Sequence, residues 1–208
     1  MRTFWRREEV EERACSTLIE FQRRGGSVAP PIDVDTIGEL VYDLHMDWDV
    51  IPEDRRTIWG GLYPRERRVV INETHKSKFI EKPGFERFTK GHEIGHWVLH
   101  VDQVSQEYPL LPGLELGQTI LCRDGDNSWI ERQANWYSGA LLMPYDICLP
   151  IFKNSDLMEW KSLYQLADQF GVTITALRVR LRQLKLGFLN DENIILTESG
   201  GLSQISLV

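Results

Sequence analysis

Long apolar runs are missing from this chain: no stretch approaches the roughly 20 residues needed to span a bilayer. The N-terminal stretch MRTFWRREEVEERACSTLIEF is charged throughout and has no apolar h-region, so no signal peptide is expected. Cysteine is scarce. Cys15, Cys122 and Cys148 are odd in number, widely spaced and form no Cys-x-x-Cys, which argues against a disulfide framework and points to a reducing cytoplasm. Basic charge is also short: 24 Lys and Arg against 31 Asp and Glu leave a net −7, a poor balance for wrapping nucleic acid. A local basic face is still compatible with that total. Repeats and low-complexity tracts are absent. With 208 residues, 42% hydrophobic and 26% charged, the chain suits one sizeable domain, or one domain with a small appendage.

Arg6 to Phe21 alternates charged and apolar residues at helical spacing, and Arg24-Gly25-Gly26 ends the pattern. Asp33 to Leu44 reads as a second helix. Short β-type runs around Trp59–Tyr63 and Arg68–Asn72 flank Pro64-Arg65-Glu66, which reads as a hairpin. The pattern turns helical from Phe85 to about His100, polar from Asp102 to Ser128, and helical again from Trp129 to Leu142, where Met143-Pro144 stops it. A separate unit of two apolar-periodic segments joined at Gly171-Val172 is expected after Pro150. The expected division is a domain over 1–150 and a C-terminal helical region with a tail over 151–208.

His92-Glu93-Ile94-Gly95-His96 is an HExxH pattern. On a helix, positions i and i+4 share a face, so two imidazoles can close on one ion while Glu93 reaches a water on it. Zinc lowers the pKa of such a water and a glutamate can take its proton, which is peptidase chemistry. Chance places HExxH in a chain this long roughly once in a hundred or two. The ordinary reading is a solvated helix with surface histidines. Ile94, Trp97, Val98 and Leu99 on the remaining faces argue instead for a buried one.

A catalytic zinc needs a third protein ligand. His100 follows one turn after His96, but three ligands at i, i+4 and i+8 on a straight helix converge poorly, so a supporting role suits it better. Asp102 stands where the HExxHxxGxxH pattern has its last ligand, yet Leu99 occupies the glycine position. Glu131 opens the second helix and could deliver a carboxylate. Ser128-x-x-Glu131 is equally a capping box, and spacing alone leaves those two readings level.

Phe88-Thr89-Lys90-Gly91-His92-Glu93-Ile94-Gly95-His96-Trp97-Val98-Leu99-His100 resembles the RFTxAHExGHxxLH block of the ImmA/IrrE metallopeptidases. Glu131 to Pro144, ERQANWYSGALLMP, is similar to that family's ExxANxFAxxLLMP block. Softer similarity covers most of residues 30 to 186. The resemblance implies an α+β fold: a zincin-like core with a small antiparallel sheet, an HExxH helix and a second ligand-bearing helix, followed by helix-turn-helix-like helices. It implies His92, His96 and Glu131 as zinc ligands and Glu93 as general base. It also implies a cytoplasmic protein substrate, a helix-turn-helix transcriptional repressor cleaved to derepress stress or mobile-element genes. Manganese or iron could occupy the same ligands. Gly91 stands in place of alanine, Tyr137 in place of phenylalanine, and Ser138-Gly139 in place of the usual small pair. Residues 74 to 85 also look longer than in the family.

His100, Asn135 and Tyr137 are candidate donors to a developing oxyanion; Asn135 could instead orient a ligand, and Tyr137 fits the core. Cys122 could approach the metal as an inhibitory thiolate, although a partly buried loop cysteine is the ordinary reading. Asp124-Gly125-Asp126-Asn127 hints at calcium but lacks the distal glutamate, so a turn is expected. Arg178, Arg180, Arg182 and Lys185 give the last helix a basic side. Direct DNA binding is possible there, with docking or packing favoured. The hairpin is expected to supply the edge strand for an extended peptide. A silent regulatory module that binds a repressor or DNA is the competing reading.

Overall fold

Helix α1 (Arg7–Arg23) forms where Val10, Ala14, Thr17, Leu18 and Phe21 recur on one buried face, and it ends at Gly25, whose φ of +90° suits glycine. The computed structural model describes residues 4–101, 120–123, 125, 128–186, 188–189 and 195–196. Helix α2 (Val34–Tyr42) starts where the Asp33 carboxylate accepts from the Thr36 amide at 3.2 Å. Strands β1 (His45–Asp49), β2 (Ile58–Tyr63), β3 (Arg68–Asn72) and β4 (Ile120–Arg123) make one sheet in the order β1-β3-β2-β4.

The α+β class is as expected, with two corrections inside it. The sheet is mixed, because β1 runs parallel to β3 while β2 is antiparallel to both β3 and β4. The β2–β3 hairpin, joined by a 3-10 turn at Pro64–Glu66, is central and not an edge. Its outer hydrogen bonds are taken by β1 and β4, which are the sheet edges among the described residues. β1, HMDWD, alternates exposed and half-buried positions, so its polar text hid a one-faced strand.

Residues 74 to 85 fold as a short helix, α3 (Lys76–Glu81), leading into α4 (Pro83–His100). Phe79, fully buried, stacks on Phe85 at 5.2 Å and meets Trp48 and Trp59 edge-on, so this segment forms an aromatic cluster against the sheet. Pro83 begins α4, where a missing N–H is harmless, and buried Lys90 ties α4 to α2 through Asp35 at 2.7 Å.

Helix α5 (Trp129–Leu142) packs against both α4 and α1. Then come α6 (Tyr145–Lys153), α7 (Trp160–Phe170) and α8 (Ile174–Gln183), with a two-stranded ribbon of β5 (Phe188–Leu189) and β6 (Ile195–Leu196). Pro150 lies inside α6. Leu163, Leu166 and Phe170 of α7 and Leu177 and Leu181 of α8 share one core with Val10, Ala14 and Leu141. The α7–α8 turn, with Gly171 at φ +61°, is seated on the start of α4: Arg87 donates to the Gly171 carbonyl. A Cβ on Gly84 would fall 2.5 Å from the Val172 backbone. Arg180, expected on an exposed basic side, is instead buried, with its guanidinium on Glu11 of α1 and on the Met143 carbonyl. Leucine periodicity turned that helix inward by more than its charge pattern suggested. No described helix is long and apolar enough to cross a membrane.

Candidate metal centre

Helices α4 and α5 cross closely because both carry small residues one turn apart. Gly91 and Gly95 of α4 face Ser138 and Ala134 of α5: an added Cβ would come within 2.8 Å of the Ser138 hydroxyl and 3.1 Å of the Ala134 backbone, respectively. Glycine inside a helix costs about 1 kcal/mol against alanine, so the close approach is the compensating gain. It also accounts for two departures from the family pattern together. The Ser138 hydroxyl needs the room that Gly91 leaves, and donates to the Phe88 carbonyl at 2.8 Å.

This crossing lets the first turn of α5 reach the HExxH face. Glu131 lies with one oxygen 3.0 Å from His92 Nε2 and the other 3.1 Å from His96 Nε2, and the two Nε2 atoms are 3.0 Å apart. Three ligand atoms thus converge on one point. Glu131 spends its carboxylate there, and Ser128 makes no side-chain cap, so the capping-box reading falls away.

Two relays set the tautomers. His92 Nδ1 is 3.0 Å from Asn135 Oδ1, an acceptor, so Nδ1 carries the proton and the Nε2 lone pair faces the centre. His96 Nδ1 is 3.0 Å from His100 Nδ1, while His100 Nε2 is 3.0 Å from Gln133 Oε1. His100 therefore donates to Gln133 and accepts from His96, which leaves His96 Nε2 free of a proton as well. Gln133 is itself oriented by donating to the Trp5 carbonyl at 3.3 Å, and the Trp5 indole N–H caps α4 at the Leu99 carbonyl, 2.9 Å away. Burial, then the neighbouring His96, pulls the His100 pKa down to about 4, so its ring stays neutral. In the metal-free centre, where the Nε2 atoms can carry protons, hydrogen bonds from His92 and His96 hold Glu131 well below the usual carboxylate range, although burial opposes it.

Glu93 is the exception. It is 0% exposed, neither carboxylate oxygen has a hydrogen-bond partner among the described residues, and burial pushes its pKa up to about 8. An orphaned buried carboxylate is unstable unless something polar belongs beside it. Two imidazoles, one carboxylate and an unsatisfied acid form a donor set that fits a catalytic zinc with one open position.

Of the other candidates, Asn135 and His100 touch the ligands directly. Tyr137 does not reach the centre: its hydroxyl is buried on Thr17 at 2.7 Å, and Thr17 continues to Tyr42 at 2.6 Å. Asp102, Asp124, Asp126 and Asn127 lie outside the described residues. Gln133 and Trp5 are supports that nothing local in the sequence ties to the motif, and Cys122, expected in a loop, stands in β4. An ion held here should bind about 10- to 100-fold more weakly in His100→Ala, read by chelator competition. Unchanged affinity would mean that the relay does not orient His96.

The family model described as Peptidase_M78, IrrE N-terminal-like domain, matches residues 44–182. No curated protein is found to match the chain. Among solved structures, a Mycobacterium tuberculosis transcriptional regulator is similar in fold, with a TM-score of 0.50 at 16% identity. The match covers 84% of this chain but only 51% of that one, so this chain spans about half its length.

Proposed function

Since this chain belongs to the Peptidase_M78 family through its IrrE N-terminal-like domain, we propose that it is a zinc-dependent endopeptidase that cuts a helix-turn-helix transcriptional repressor and so relieves repression. The observation that carries this reading is the convergence of His92, His96 and Glu131 beside the partnerless acid Glu93. His92, His96 and Glu131 would hold the ion. Bound zinc would polarise the scissile carbonyl and acidify an attacking water. Glu93 would take that water's proton and hand it to the leaving amine, and its burial suits it to holding a proton near neutral pH. Asn135, and His100 with Gln133, would keep the two imidazoles in register.

The substrate would enter as an extended strand on β4, an edge of the sheet among the described residues, and not on the hairpin. A protein substrate fits such an edge better than a small molecule does. The structural neighbour is a transcriptional regulator, which supports a target in transcription. The burial of Arg180 and the seating of the α7–α8 turn on α4 favour packing over DNA contact for those helices.

The test is to measure bound metal on the purified protein, then incubate it with any helix-turn-helix repressor encoded beside it. About one equivalent of zinc and one discrete chelator-sensitive cut are expected. No bound metal would sink the reading, and metal with no cut would replace it with a non-cleaving regulatory module.

A further inference from the structure

Cys122 stands in β4 opposite Gly60 of β2. Its sulfur, a His92 ring nitrogen and a Glu93 carboxylate oxygen all lie within 4.8 Å of one another, and the thiol is hydrogen-bonded to His92. A second ligand trio, His92–Glu93–Cys122, therefore shares His92 with the first one, His92–His96–Glu131. The fully buried Glu93, whose oxygens find no partner among the described residues, is aimed into the same space as the sulfur. The sulfur thus stands beside one of the three ligands, His92, and beside the acid Glu93. Cys148 makes the contrast: it is buried too, but its sulfur rests on the Met143 and Tyr145 carbonyls, away from any ligand.

We propose that Cys122 is a built-in fourth ligand, which closes the metal centre in the resting protein and is displaced when a substrate strand pairs with β4. The inference rests on the metallopeptidase reading of the centre. A catalytic zinc keeps one position open, whereas a closed four-ligand shell is the structural arrangement. A thiolate on the fourth position would turn the first into the second and exclude water from Glu93. Ligation replaces the thiol proton by the ion and releases that proton to water; displacement reverses both. The sulfur belongs to the strand that an incoming peptide would engage, so peptide pairing and thiol removal act on one element. Such a centre is silent until the right strand arrives, which is how a selective protease avoids unwanted cuts.

Two measurements on the full chain test this. Cobalt(II)-loaded protein should show a near-ultraviolet thiolate-to-cobalt charge-transfer band that disappears in Cys122→Ser. Independently of any variant's folding, zinc loading should slow iodoacetamide modification of Cys122 roughly tenfold or more, the scale on which loss of one supporting contact is felt. The exposed Cys15 serves as the internal control and should react at the same rate with and without zinc. Cobalt uptake without the band, together with equal Cys122 rates, overturns the fourth ligand and leaves the metallopeptidase reading standing. Failure to take up either metal overturns both.

Discussion

Replacing Glu93 by glutamine should leave the fold and bound metal intact while lowering cleavage by about 10²–10⁴-fold, the range a positioned general base contributes. Glutamine keeps the shape and the burial but cannot accept the proton. The His92, His96 and Glu131 contacts do not involve this side chain, so metal content should not change. The same substitution has a second signature in the metal-free protein. Burial raises the Glu93 pKa from its ordinary 4.5 to about 8, so the folded state binds this proton more tightly than the unfolded chain does. Stability is then full below pH 4.5 and falls as pH rises toward 8. Metal-free Glu93→Gln should therefore melt above the metal-free parent at neutral pH, by a few kcal/mol, and the gap should close toward pH 4.5. Thermal melts at matched pH read this directly. Equal melting temperatures across that window would mean that the acid is satisfied by something other than a proton.

That destabilised acid belongs to the part of the site that was legible in the sequence. His92, Glu93 and His96 share one helix, and their spacing is a local property that survives any tertiary arrangement. Glu131 was readable only as a choice between a cap and a ligand. The choice is decided by the α4–α5 crossing, which Gly95 and Ala134 set through backbone proximity and not through any periodicity. Gln133 and Trp5 were illegible for a related reason. The Gln133 contact to Trp5 spans 128 residues, and no side-chain pattern announces it. The strands divide likewise: a hairpin closed by a short turn reads from its own text, whereas β1 pairs parallel across a long crossover and β4 joins β2 from the far side of α4. The hairpin's central position, and hence which edge is open to a substrate, depends on both of those unseen partners.

The buried clasp between α1 and α8 should respond asymmetrically to removal of its two ends. Arg180 is 1% exposed and Glu11 29%, so taking away the carboxylate strands a charge in the core, whereas taking away the guanidinium leaves a carboxylate that water can reach. Glu11→Ala is accordingly expected to lose roughly 3–5 kcal/mol, which for a chain of this size corresponds to a fall in Tm of about 6–20 °C. Arg180→Met should lose less, since methionine fills much of the space and the freed Glu11 turns outward; the Met143 carbonyl then loses one donor. The double variant Glu11→Leu with Arg180→Met should recover most of the loss, because an apolar pair removes both desolvation penalties. Thermal melts of the three variants distinguish this from an ordinary surface ion pair, for which each single change would shift stability by under about 1 kcal/mol. The outcome bears on the centre itself. Trp5, which holds Gln133 and caps α4, stands two residues before the helix that Arg180 clamps, so α8 steadies the His100 relay through α1. A single cooperative transition that moves as a whole in Glu11→Ala is therefore expected. A split melt, with the residues around α4 and α5 unaffected, would mean that the C-terminal helices stand apart from the peptidase core.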